Sequence, residues 1–162
     1  KSLYLDEGFS QGQYNYGMFL MQQQRYDDAC EHLDFAARDV EYPQRGKASQ
    51  NLALCYYRQG NTELAIVTYE RTLKSQRFNA PMLVNLSTLL FEVERYEEAM
   101  GYYGRFLRIV ERKQIKHSSN TLWLGIKLSR QFEDKKQEQQ FAKLLRQKFP
   151  DSKEYKLYKA SI

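Results

Sequence analysis

At 162 residues the chain has room for one compact domain or one short solenoid, and too little for two ordinary domains. Its 28% charged and 42% hydrophobic residues form a globular balance that argues against disorder, and no stretch reaches the ~20 apolar residues of a membrane span. The net charge of +5 reads as a solvated surface, with no Lys/Arg cluster on one helix face to point toward nucleic acid or an anionic membrane.

The chain opens on Lys1 and reads as a piece of a longer protein. Residues 1–9 are expected to be the remnant of a preceding repeat, with Tyr4, Leu5 and Phe9 suited to pack on that neighbour. Helical periodicity then predicts helices at 10–23 and 26–41, 46–59 and 62–75, 80–93 and 96–112, and 119–132 and 135–148. Paired, they make four repeats at 10–43, 46–79, 80–113 and 118–150. Three prolines and eight glycines leave long helices uninterrupted, and Pro43, Pro81 and Pro150 fall at or near helix ends, where proline is tolerated. Between the third and fourth units lies a polar connection, in which Ser118-Ser119-Asn120 is suited to cap the next helix. After Pro150, Asp151 with Glu154 reads as a capping box for a short last helix within 151–160. That helix is expected to cover the apolar end of the stack, as solenoids need for solubility.

Three similar strings mark the turns of the first three pairs: Gln24-Arg25-Tyr26-Asp27-Asp28-Ala29, Gly60-Asn61-Thr62-Glu63-Leu64-Ala65 and Glu94-Arg95-Tyr96-Glu97-Glu98-Ala99. Their alanines lie 36 and 34 residues apart. With that alanine as the twentieth position, the seventh and eighth read Tyr16-Gly17, Leu52-Ala53 and Leu86-Ser87. Large residues recur at the eleventh (Leu20, Tyr56, Leu90) and twenty-fourth (Leu33, Tyr69, Tyr103). Small-against-large alternation lets paired helices approach closely and fills the space that remains. A helical hairpin repeating every ~34 residues resembles the tetratricopeptide repeat. The expected fold is therefore an all-α solenoid of about four hairpins with a C-terminal capping helix. The fourth unit has Leu124-Gly125, Leu128 and Phe141 in register but Gln137 at the twentieth position, so its turn is expected to be looser or its helix shifted.

Catalytic patterns do not emerge. No phosphate-binding glycine motif or nucleophile elbow occurs. Cys30 and His32 are two apart on a helix and point to different sides, so they make no nucleophile–base pair. Carboxylates such as Asp27, Asp28, Glu97 and Glu98 open second helices, where they complement the helix dipole. Cys30 and Cys55 read as small buried packing residues, with a bridge open only to an oxidising compartment. Asn85-Leu86-Ser87 is a glycosylation sequon inside a predicted buried helix and is set aside. Most of the thirteen tyrosines fall on packing or turn positions rather than a base-stacking surface. The sequence predicts no enzyme, cofactor, metal or nucleic-acid partner.

Binding is instead expected on the inner face lined by first helices, at positions five, nine, twelve and thirteen. These are Tyr14, Met18, Met21 and Gln22; then Gln50, Leu54, Tyr57 and Arg58; then Val84, Thr88, Phe91 and Glu92. The stripe is apolar enough to hold an amphipathic helix or an extended apolar peptide, and Arg58 is placed to pair an acidic group.

Longer runs carry a narrower resemblance. Tyr14-Asn15-Tyr16-Gly17-Met18-Phe19-Leu20 followed by Gln24-Arg25-Tyr26 resembles the third repeat of type IV pilus pilotins, the PilF/PilW family. Leu122-Trp123-Leu124-Gly125-Ile126-Lys127-Leu128 with Phe132-Glu133-Asp134, and the ending Phe149-Pro150-Asp151-Ser152-Lys153-Glu154-Tyr155, are similar to that family in the same order. The resemblance implies a non-enzymatic, monomeric adaptor at the periplasmic face of the bacterial outer membrane. Its implied partner is the pilus secretin, which it helps to localise and multimerise. It also implies six repeats and an N-terminal lipidated cysteine, so that cysteine and about two repeats are expected to lie before Lys1. The alternative is a scaffold for another envelope or cytosolic complex.

Overall fold

The computed structural model describes residues 7–162; the expectations for Tyr4 and Leu5 lie outside the described residues. Among the described residues the secondary structure is helical throughout: α1 (Glu7–Gln22), α2 (Tyr26–Arg38), α3 (Arg45–Arg58), α4 (Thr62–Ser75), α5 (Ala80–Glu92), α6 (Tyr96–Glu111), α7 (Ser119–Gln131), α8 (Lys135–Lys148) and α9 (Lys153–Ala160). They fall into two compact units, Lys1–Arg77 and Phe78–Ile162. In the first, α1 pairs with α2, α2 with α3 and α3 with α4. In the second, α5 pairs with α6 and α7 with α8, α6 packs on α7, and α9 lies against both α7 and α8.

Each hairpin turn uses one device. A residue in the left-handed region ends the first helix: Gln24 (φ 59°), Gly60 (φ 92°), Glu94 (φ 63°) and Glu133 (φ 57°). The following N–H reaches back five residues, from Arg25 to Leu20 O at 3.0 Å, and at 2.8 Å from Asn61 to Tyr56 O, Arg95 to Leu90 O and Asp134 to Ser129 O. This satisfies carbonyls that the helix end leaves without partners. The fourth turn is therefore not looser. It sits one residue later in the repeat, and Gln137 is kept close by Ser129, whose Oγ lies 3.3 Å from Gln137 Oε1.

Helix starts follow the local chemistry. Asn61, Asn79 and Asp134 accept the N–H of Leu64, Met82 and Gln137 at 3.0–3.2 Å. Ser118 and Thr121 form the capping box of α7. Three boundaries differ from expectation: α1 begins at Glu7 rather than at 10, so Phe9 lies within it, edge-on to Phe35 at 5.2 Å. The cap of α9 is Ser152, which accepts the N–H of Tyr155 at 3.1 Å, rather than Asp151. Helix α2 stops at Arg38 rather than at 41 because Asp39 leaves helical geometry. Its buried carboxylate accepts the Ser10 hydroxyl and, at 3.0 Å, the Glu41 N–H, which gives the backbone an alternative to another helical turn.

Small residues stand where the helices approach. A Cβ on Gly17 would come 2.8 Å from Leu33 Cγ, and one on Gly125 would come 2.3 Å from Tyr103 Oη. At the same position in the third hairpin, Ser87 donates its hydroxyl to Ala99 O at 2.7 Å, joining the two small positions of that hairpin directly. Tyr103 is fully buried and donates to Thr121 O at 2.9 Å. Burial pushes its phenol up from the ordinary tyrosine range, so it stays a neutral donor.

The cysteines depart from the packing role expected of them. Cys30 on α2 and Cys55 on α3 are joined in a disulfide, with Cα atoms 5.7 Å apart and a sequence separation of 25. Periodicity along one helix places each cysteine inward. The packing of α2 on α3 is what brings the two inward positions together.

Candidate protein-binding faces

In the first unit the face is carried by α1 and α3. Tyr14 is 7% exposed and belongs to the core: Asn51 Nδ2 donates to its hydroxyl at 2.9 Å, and Lys47 Nζ lies 5.7 Å from its ring centre. It positions α1 on α3 rather than facing a partner. Met18 and Met21 are half-buried and pack against that core, while Gln22 is exposed. Their unbranched thioethers can adapt to a bound side chain. Gln50, Leu54 and Tyr57 are half-buried on α3, and Arg58 is exposed at its end.

Arg58 borders a cleft of about 390 Å³ formed with residues 24–28 of the α1–α2 turn and Gln59. The acidic groups there are already engaged: Arg25 pairs with Asp28 at 2.6 Å, and Gln59 donates to Asp27 at 2.8 Å. Arg58 makes no ion pair among the described residues, so it is available to an incoming carboxylate.

In the second unit the matching positions are less open. Val84 is 7% exposed and interior, and Thr88 turns its hydroxyl back to Val84 O at 2.9 Å. Phe91 is half-buried, edge-on to Tyr96 at 5.1 Å, and Glu92 is exposed. A residue absent from the expected stripe completes this face. Lys127 of α7 holds its ammonium 4.7 Å from the Phe91 ring centre. Burial lowers the Lys127 ammonium from the ordinary lysine range, and the charge of Glu92 opposes that shift. Lys127 holds the tenth position of the fourth repeat, outside positions five, nine, twelve and thirteen, so the repeat pattern does not mark it.

Among the described residues, no group of His, Cys, Asp and Glu is arranged to hold a metal ion, and no helix is long and apolar enough to cross a membrane. What the two faces offer is adaptable apolar surface with a few cations. That is chemistry for holding a polypeptide.

A tetratricopeptide-repeat family model matches residues 9–77. The chain has the all-α tetratricopeptide-repeat solenoid fold, a fold of protein-interaction adaptors. It is 30% identical over 146 residues to the type IV pilus assembly protein PilF of Pseudomonas aeruginosa, an alignment covering 90% of this chain and 56% of that protein. The chain thus spans a little over half the length of this curated relative. The solved structure of P. aeruginosa PilF superposes with a TM-score of 0.82 at 28% identity, over 94% of this chain and 67% of that one. PilW, described as a widely conserved type IV pilus biogenesis factor, shares the fold with a TM-score of 0.79 at 24% identity, over 92% of this chain and 66% of that one. The chain thus combines the tetratricopeptide-repeat fold with sequence similarity to PilF.

Proposed function

We propose that this chain is the protein-binding part of a type IV pilus pilotin: a non-enzymatic, monomeric adaptor that helps the secretin reach the outer membrane and multimerise there. The observation that carries the reading is the similarity to P. aeruginosa PilF along 90% of this chain. The Cys30–Cys55 disulfide supports it independently, because such bridges persist in oxidising compartments such as the periplasm. On this reading the protein works at the periplasmic face of the outer membrane. Its membrane attachment on this reading is a lipid anchor. The contact residues are Met18, Met21, Gln50, Leu54, Tyr57 and Arg58 in the first unit and Thr88 and Phe91 in the second, with Tyr14 and Val84 supporting them from within. No cofactor or nucleic acid takes part.

The test is genetic complementation in the source organism. Deleting the full-length gene is expected to leave the pilus secretin mislocalised or monomeric in fractionated membranes. The wild-type gene should restore heat-resistant multimers, and a Leu54→Glu/Tyr57→Ala version should not, despite unchanged helicity. Normal secretin rings in the deletion strain would overturn the reading and leave a scaffold for another complex. Full rescue by the double variant would move the contact to another face.

A further inference from the structure

The positive charge of the chain is unevenly placed. Residues 135–162 hold eight Lys and Arg against three Asp and Glu, a surplus of five. The whole chain holds 25 against 20, so everything before residue 135 is balanced. The structure therefore overturns the expectation that no basic cluster shares a helix face. Lys136, Lys143 and Arg146 recur at helical spacing along one side of α8. All eight cations are exposed, and none makes an ion pair among the described residues. Of the three acids, Glu138 is already held by Arg130 at 2.7 Å. Asp151 precedes α9 and Glu154 lies in its first turn, where carboxylates complement the helix dipole.

A solvated basic surface needs no concavity, and here there is one. Between α8 and α9 lies a cleft of about 300 Å³, walled by Lys143 and Arg146 on one side and by Tyr155, Tyr158 and Lys159 on the other. Ile162, 80% exposed, adds an apolar edge. Helix α9 has no buried residue of its own and is held partly through Arg130, which donates to Ser161 Oγ at 2.8 Å and lies 5.5 Å from the Tyr158 ring centre. The aromatic rings are poor platforms for nucleic-acid bases. Lys159 lies 5.0 Å from the Tyr155 ring centre, Arg130 is over Tyr158, and the two rings stack on each other at 6.3 Å. A flat bilayer would engage the outer lysines and leave the cleft unfilled. A narrow acidic chain meets the cleft's cations and its apolar edge together.

We propose that the α8–α9 cleft is a second docking site, distinct from the first-helix faces, that takes an acidic stretch of a partner polypeptide, with its carboxylates on Lys143, Arg146 and Lys159. The site does not depend on the pilotin reading, since it rests only on charge and shape within the second unit.

The test uses the whole chain and fluorescence anisotropy. The probes are a fluorescein-labelled peptide of Glu, Ser and Leu and its counterpart with Gln for Glu, beside vesicles of phosphatidylcholine with and without phosphatidylglycerol. The Glu peptide is expected to bind, weaken with salt, and lose at least about tenfold in affinity in Lys143→Glu/Arg146→Glu. The Gln peptide should not bind. Arg71→Glu/Lys74→Glu, an equal charge change on exposed residues of α4, should cost less than about threefold through general electrostatics. Equal losses in the two double variants would reduce the effect to net charge and overturn the site. Binding to phosphatidylglycerol vesicles but not to the Glu peptide would overturn it in favour of a membrane surface.

Discussion

The two units solve one structural problem with different chemistry. In each, the second helix of one hairpin must be held against the first helix of the next: α2 on α3 in one unit, α6 on α7 in the other. The first unit closes this junction covalently, through Cys30 and Cys55. The second closes it with a buried phenol, Tyr103 Oη to Thr121 O at 2.9 Å, inside a group of rings. Tyr103 meets Phe106 and Phe141 at 5.7 and 6.0 Å, and His117 meets the same two phenylalanines at 5.6 and 5.7 Å. A disulfide acts mainly by restricting the unfolded chain, whereas the aromatic junction acts only in the folded state. The first unit is therefore sensitive to redox conditions, and the second to packing and protonation.

Breaking the covalent junction should have the largest effect. Cys30→Ala/Cys55→Ala removes a closure spanning 25 residues, and is expected to cost about 3 kcal/mol on a loop-entropy scale. Hydrogen exchange should place that loss in α1–α4. Trp123, the single tryptophan, lies on α7 and reports the second unit by fluorescence. An equal shift of the Trp123 unfolding midpoint would show that the two units unfold as one and that the contrast has no energetic meaning.

Tyr103→Phe probes the corresponding junction of the second unit. It keeps the ring contacts and removes the donor to Thr121 O, so a loss of about 1 kcal/mol is expected for one buried hydrogen bond. Here the Trp123 midpoint should move and the protection of α1–α4 should not. A neutral result would mean that ring packing alone holds α6 on α7.

The repeat made the helices and their turns legible, because small residues at Gly17, Ser87 and Gly125 recur at a spacing that close helix packing demands. What escaped were features joining different helices. Nothing in the periodicity of α2 or α3 reveals that Cys30 faces Cys55, and nothing in α5 reveals that Lys127 of α7 lies over Phe91. Part of the candidate stripe faces inward. Tyr14 and Val84 lie three residues before Gly17 and Ser87, the closest-approach positions, so at helical spacing they share the buried side. Positions nine and twelve turn outward from it, and Met18, Met21, Leu54, Tyr57 and Phe91 are the residues left half-open. The basic segment was hidden by arithmetic: a modest net charge for the whole chain conceals a surplus confined to its end.

The smallest predicted effect is the dependence of the second unit on pH. His117 Nδ1 lies 3.0 Å from Thr121 Oγ1. That hydroxyl donates its one hydrogen to Ser118 O at 3.0 Å and also accepts the Ser118 N–H at 2.9 Å. Burial lowers the pKa of His117 below the ordinary 6.5, so the folded form resists protonation more than the unfolded chain does. Between the folded value and 6.5 the unfolded state binds more protons, and stability rises with pH. The contribution of the neutral ring is thus complete above 6.5 and lost as pH falls through the folded value. Denaturant midpoints read from Trp123 should fall on acidification from just above 6.5, and His117→Gln should flatten that slope. Carboxylate titration at lower pH is common to both proteins and cancels in their difference. Exchange protection in α1–α4 should show no difference in pH slope between them. Parallel slopes at Trp123 would mean that the His117 environment tolerates the charge, and that the second junction is as indifferent to acid as a disulfide.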